Sequence, residues 1–172
     1  MTKTTDQLDE MWDLYDRDMH VVGQVRRRDA IPGGTYHLAV GVIVFDGAGN
    51  VLVQQRSHLK LTHPDQWELG AGGSALQGED GVTAVQRELL EEMQLHAEVT
   101  DANRLSRKVY ATWIEEWFAV QLDFTLADVQ IQTAEVAQVK LLPVEEARAL
   151  MAVDGIQSFA DELGLAGNWL RK

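Results

Sequence analysis

The chain has 172 residues, 15 Lys and Arg against 27 Asp and Glu, and a formal net charge of −12 at pH 7. So acidic a surface offers few cations to a nucleic-acid backbone or an anionic membrane, and an anionic ligand would need a local inversion of charge. The absence of cysteine excludes a disulfide scaffold, a thiolate zinc site, an iron–sulfur cluster and a cysteine nucleophile.

At 45% hydrophobic and 24% charged the composition is globular, and the length suits one domain spanning residues 1–172. The opening MTKTTDQLDE lacks the apolar core of a secretory signal, and the longest apolar run, Leu38 to Phe45, is too short to cross a bilayer. A soluble cytoplasmic protein is therefore expected.

In chain order, Trp12–Tyr15 and Val21–Arg26 read as the two strands of a hairpin, so residues 1–30 form an N-terminal hairpin extension. Arg26-Arg27-Arg28 at its end is either a solvated strand end beside the acidic opening or an anion contact. After the breaker Ile31-Pro32-Gly33-Gly34, Tyr36–Phe45 predicts a buried strand and Val51–Gln55 its return arm. Ser57 to Gln66 is polar and reads as a loop, Trp67–Leu69 as a short strand, and Gly70-Ala71-Gly72-Gly73 as too poor in side chains to serve as core.

From Asp80 to Met93 the apolar residues Val82, Val85, Leu89 and Met93 are spaced for one helix face. Lys108–Ile114, Trp117–Phe124 and Val136–Leu142 are further strand candidates, Pro143 opens a helix with acids in its first turn, and a last helix is expected near Ile156–Leu163.

The firm helix carries the chemistry. At about 100° per residue from Val85, Glu91, Glu88 and Glu92 fall at about 240°, 300° and 340°, on one edge beside the apolar arc. Like charges at this spacing repel, and a hard divalent cation resolves the conflict because Mg²⁺ prefers oxygen ligands and bridges to phosphates. An acidic, solvated helix face is the alternative for an isolated E-x-x-E-E.

The wider spacing decides between them. Gly73, Glu79, Arg87-Glu88-Leu89, Glu91-Glu92 and Leu95 resemble the signature of the Nudix hydrolase superfamily: G, five residues, E, seven residues, R-E-hydrophobic, one residue, E-E, one residue, G-hydrophobic. Six specified identities agree, and chance agreement at a given start is on the order of 10⁻⁷. Gln94 departs, standing where the signature has Gly, which affects the end of the helix rather than a ligand. The flanks Tyr36-His37-Leu38-Ala39-Val40, Gln54-Gln55-Arg56-Ser57 and Trp67 also look like Nudix proteins. Met11-Trp12-Asp13-Leu14-Tyr15-Asp16 is similar to the branch near isopentenyl diphosphate isomerases, whose chemistry needs a cysteine that this chain lacks.

The resemblance implies an α/β Nudix fold, an α/β/α sandwich with a mixed β-sheet, and hydrolysis of a nucleoside diphosphate derivative or related organic diphosphate with Mg²⁺ or Mn²⁺. Glu88, Glu91 and Glu92, with the Gly73 carbonyl, would hold the metal, while Arg87 and Glu79 orient the set. The general base would be Glu91, Glu115, Glu116 or Glu135. Arg56 and Lys60 sit where a cation could reach a terminal phosphate, or are solvated loop charges. His37, His58, His63 and His96 lack metal-ligand spacing and read as structural or surface residues. Trp113, Trp117 and Tyr110 are either core or a stacking wall for a base. The expected partner is a small-molecule diphosphate, with no nucleic acid polymer or membrane; a homodimer is compatible. The rival functions are a non-catalytic nucleotide sensor and an interaction module docking through the acidic N-terminal segment. Sensors of that kind often carry a degraded signature, whereas every signature acid is present here.

Overall fold

The computed structural model describes residues 4–156 and 159–172. Strands β1 (Met11–Tyr15) and β2 (Val21–Arg26) form an antiparallel hairpin of their own. The remaining strands make a mixed seven-stranded sheet: β3 (His37–Phe45), β4 (Val51–Arg56), β5 (Trp67–Leu69), β6 (Ala71–Ser74), β7 (Arg104–Val109), β8 (Trp113–Gln121) and β9 (Val136–Leu142). Helix α1 (Gly81–Met93) covers one face, and α2 (Val144–Asp154) and α3 (Ala160–Leu170) cover the other. This is the expected α/β/α sandwich. Among the described residues no helix is long and apolar enough to cross a membrane.

Strand β3 organises the sheet. It pairs in parallel with β8 on one side and antiparallel with β6 on the other, and meets β4 only at its far end. Its near-continuous apolar run follows from burial on both faces. Leu38, Val40, Val42 and Val44 pack with Ala84, Val85, Leu89 and Met93 of α1, while Ile43 and Phe45 pack with Ala147, Met151, Leu163 and Ala166 of α2 and α3. On that second face the first positions are small: Ala39 and Gly41 border a cavity, and Ile43 and Phe45 fill core. A Cβ at Gly41 would lie 2.7 Å from the Trp117 ring.

Three expectations need correction. Ala71–Ser74 is a strand, and Ala71, in a segment expected to be too poor in side chains to serve as core, is 1% exposed within the core. Gly70 turns the chain at φ 57, and a Cβ at Gly72 would stand 2.5 Å from the Val40 carbonyl oxygen, so glycine is what lets β6 approach β3. Strands β7 and β8 lie several residues upstream of 108–114 and 117–124. The turn between them holds neither Gly nor Pro; the Tyr110 amide donates to the Trp113 carbonyl and the two rings stack at 4.6 Å. The last helix runs further than 156–163, with residues 157 and 158 of that expectation lying outside the described residues. Gly164 lies inside the helix with open space around it and is tolerated there.

Candidate active site

Helix α1 begins where the sequence says it should: the Asp80 side chain accepts from the Thr83 amide at 2.8 Å. It ends at Gln94, which adopts the left-handed conformation (φ 56, ψ 28) that a glycine would take without strain. Both the Gln94 amide and its side-chain Nε2 donate to the Leu90 carbonyl at 2.9 Å, which closes the helix despite the departure from the signature.

Between these ends, α1 lies against β6 and presents its acids to a cavity of about 330 Å³. Arg87 is the hub. Its Nε and Nη2 grip the two oxygens of Glu79 at 2.8 and 2.9 Å, its Nη1 donates to Glu88 at 2.9 Å and to Glu91 at 3.2 Å, and Nη2 also reaches the Ser74 carbonyl at 3.1 Å. Glu79 in turn accepts from the Leu76 amide, tying the loop before α1 to its first turns. Glu88 packs so closely on Gly73 that a Cβ there would stand 2.3 Å from its Oε1. Glu92 is buried and accepts from Gln54 Nε2 at 3.0 Å and from the Gly72 amide at 3.2 Å.

Electrostatically the cavity is short of positive charge. Burial, with Glu91 and Glu10 nearby and Arg87 opposing, pushes the Glu88 carboxyl up to about 7. Burial also raises Glu92 well above the usual carboxylate range, reinforced by Glu88 and Glu68. Glu68 is raised by burial against the pull of Arg56. Glu79 is held low: its burial is outweighed by the Arg87 hydrogen bonds and the Leu76 amide. A set of oxygen donors that burial drives toward protonation, beside a buried Gln54 Oε1 with no partner among the described residues, has the chemistry of a site for a hard divalent cation. Among the described residues a tighter acidic group, Asp16, Asp18 and His20 with ligand atoms within 4.8 Å of one another, lies on the hairpin turn, where Asp16 is engaged with the amides of Asp18 and His20.

The other expected residues divide. Arg56 borders the cavity with both Glu68 oxygens at 3.1 Å and its Nε on the Thr62 carbonyl. Lys60 and Glu135 both border it and pair with each other. Glu115 faces the cavity and accepts from the Trp117 indole at 2.7 Å. Its neighbour Glu116 alternates to the opposite face, 1% exposed, where Arg104 and Arg107 neutralise it; strand alternation therefore separates two candidates for the base. Trp117 is core, edge-on to Phe159 at 4.6 Å, although it also forms part of the cavity wall. Trp113 stacks on Tyr110 and is absent from that wall. His37 is partly buried and stacked on Trp12 at 4.3 Å.

Sequence reasoning missed Glu10 and Glu68 at the cavity and, behind its wall, Asp6 on Lys60 and Gln54 on Glu92, and left Arg27 undecided. The Arg26-Arg27-Arg28 cluster was the one available signal: Arg27 borders the cavity, while Arg26 and Arg28 pair with the exposed Asp9.

Comparison with known proteins agrees with this geometry. The NUDIX domain family matches residues 35–163. An uncharacterized Nudix hydrolase of Listeria innocua is 30% identical over 142 residues, covering 82% of this chain and 84% of that protein. An isopentenyl-diphosphate Delta-isomerase of Serratia proteamaculans is 34% identical over 92 residues, 54% of this chain and 51% of that protein, in keeping with the branch suggested by the N-terminal residues. A solved structure of a Deinococcus radiodurans protein shares the fold with a TM-score of 0.74 at 20% identity, over 91% of this chain and 99% of that one. The family's domain spans most of the chain, and the signature residues Glu88, Glu91 and Glu92 border one cavity with Arg87 tying Glu79 to them, so the chain belongs to the Nudix family and is a Nudix hydrolase.

Proposed function

We propose that this protein hydrolyses the diphosphate linkage of a nucleoside diphosphate derivative or related organic diphosphate, by attack of water at phosphorus, with Mg²⁺ or Mn²⁺. The observation that carries the reading is the burial of Glu88 and Glu92 in one cavity with cationic side chains within reach. Glu88, Glu91 and Glu92, with the Gly73 carbonyl, would hold the metal, which supplies positive charge to the phosphate oxygens and acidifies bound water.

The chain's own groups do the rest. Arg87, fixed by Glu79, holds Glu88 and Glu91 in place from one side, and Gln54 with the Gly72 amide fixes Glu92 from the other. Arg56 and Lys60 are the groups to receive phosphate oxygens, as charge-assisted donors. Glu91 is our first choice to take the proton from the attacking water, because its side chain is half exposed; Glu135 and Glu115, the other expected candidates that border the cavity, come next. The site and the hairpin extension work as one unit, residues 1–172.

The test is a panel of nucleoside diphosphate derivatives, nucleoside triphosphates and isoprenoid diphosphates, assayed for phosphate or monophosphate release with and without Mg²⁺. Mg²⁺-dependent turnover of at least one compound is expected; none at high enzyme concentration would overturn the proposal.

A further inference from the structure

The segment before the hairpin reaches into the cavity. Thr5, Gln7 and Glu10 form part of the wall, and the Thr5 hydroxyl donates to the Ala134 carbonyl across the opening at 2.9 Å. Asp6 sits behind them with a side chain only 1% exposed. Its Oδ1 accepts from Lys60 Nζ at 2.7 Å and from Arg27 Nη2, and its Oδ2 from the Leu61 amide at 2.9 Å and the Thr4 hydroxyl at 2.8 Å. Lys60, 8% exposed, also pairs with Glu135, and Arg27 also donates to Glu10 at 3.2 Å.

At this end of the cavity, then, three carboxylates face two cations, a local balance of minus one. Each cation already serves two carboxylates. Arg56, the next cation along the wall, holds both oxygens of Glu68 through Nη1 and keeps Nη2, 3.5 Å from the Thr62 hydroxyl, for the diphosphate. With the remaining donors of Lys60 and Arg56 taken by the diphosphate, bringing a third phosphate here would require pulling a buried carboxylate off its partners or accepting a like charge against it, and either is costly in a partly desolvated site. The metal-binding side offers no such obstacle, since its missing positive charge arrives with the ion.

We propose that Asp6 is a specificity-determining residue: its carboxylate bridging Lys60 and Arg27 turns away substrates carrying a third phosphate and favours an organic diphosphate whose remaining part adds no negative charge. The inference rests on the proposed hydrolase reading for its diphosphate site. Asp6 acts through the two cations it holds, without touching the reacting phosphorus.

The test is calorimetric binding of inorganic diphosphate and inorganic triphosphate, both with saturating Mg²⁺, to the full chain and to Asp6→Asn. The wild-type chain should bind triphosphate no more tightly than diphosphate. Asp6→Asn should bind triphosphate about tenfold more tightly than the wild type does, with diphosphate affinity changed less than about threefold. A merely structural role would weaken both ligands together and leave their ratio alone. Glu10→Gln, which removes a carboxylate from Arg27 and leaves Asp6 in place, should move the ratio the same way by a smaller factor. It serves as the decisive variant if circular dichroism shows Asp6→Asn unfolded. An unchanged ratio in the folded variant, a wild-type preference for triphosphate, or no binding of triphosphate to either protein overturns the proposal. Failure of the hydrolase reading shows separately, as absence of turnover in the substrate panel.

Discussion

Arg87 and Glu79 stand eight positions apart in sequence, yet Nε and Nη2 of the arginine meet the two carboxylate oxygens in parallel at 2.8 and 2.9 Å. This two-pronged geometry leaves Nη1 free to divide itself between Glu88 and Glu91. The loop residue thus sets the angle at which the helix acids are held.

Glu79→Gln should therefore damage activity more than stability. Half of the charge-assisted clamp remains as a neutral hydrogen bond, so the fold should lose about 1–2 kcal/mol. Turnover should fall by about tenfold or more because Glu88 and Glu91 lose their common reference. Denaturant unfolding and steady-state kinetics on the same preparation separate the two effects.

Glu92→Gln should behave in the opposite sense in the absence of metal. The carboxylate is buried against Glu88 and Glu68, so a neutral side chain of the same shape relieves repulsion while Gln54 and Gly72 still find an acceptor. In EDTA the variant should melt at or above the wild-type temperature. With Mg²⁺, the wild type should gain stability by mass action, about 2.7 kcal/mol at a hundredfold excess over Kd, and the variant little. Its rate should drop by about a hundredfold or more. Differential scanning calorimetry with and without Mg²⁺, followed by kinetics, checks all three.

His37 and Asp6 each lose folding stability in acid, in separate pH windows. Burial, aided by Arg27, pulls the His37 imidazole down to about 4 from an ordinary 6.5, so between those values the unfolded chain binds a proton that the fold refuses. The His37 contribution to stability falls by about 3 kcal/mol as pH drops through that window, while Glu88, raised to about 7, works in the opposite sense over the same range. Asp6 has its carboxyl held at about 2 against an ordinary 3.8: its burial acts upward, but Lys60, the Leu61 amide and Thr4 prevail. Its contribution, about 2 kcal/mol, is complete above pH 3.8 and is lost as pH falls toward 2. Urea unfolding at a series of pH values, run on the wild type and on His37→Phe, which keeps the ring on Trp12, should show the upper loss as the difference between the two proteins and the lower one in both.

Gln94→Gly should stabilise the protein by about 0.5 kcal/mol. The left-handed backbone at this position carries a penalty of about 1 kcal/mol for a side chain, partly offset by the exposed Gln94 Nε2 bond to Leu90. A melting temperature raised by one to a few degrees, about what such an increment produces in a chain of this size, is the expected reading.

What could be read from the sequence was whatever has a period or a fixed spacing. The α1 acids, Arg87 and Glu79 announced themselves through intervals, and β9 and β5 fall on their expected residues because apolar runs and turn formers mark both ends. Strand β6 did not, since its signal is the absence of side chains, and close backbone approach is visible only once β3 is beside it. The turn at Tyr110–Trp113 is closed by ring stacking, which leaves no Gly or Pro to find. Asp6 and Glu68 were hidden for another reason. Each is an ordinary acid in its own segment and becomes part of the site only through partners 54 and 12 positions away, at Lys60 and Arg56.

The face of β3 that changes from Ala39 and Gly41 to Ile43 and Phe45 draws a border across a single strand. On one side of it, adaptation to a new ligand has room to act; on the other, any change is felt by α2 and α3. Ala39 lies opposite Glu115 in the parallel ladder and is free to vary with the ligand, whereas Gly41 lies opposite Trp117 and is bound to that ring's size. Along this strand, evolution of substrate range is thus expected to run through position 39 alone or through 41 together with its neighbour 117, the first route leaving the stability of the sandwich untouched and the second putting it at risk.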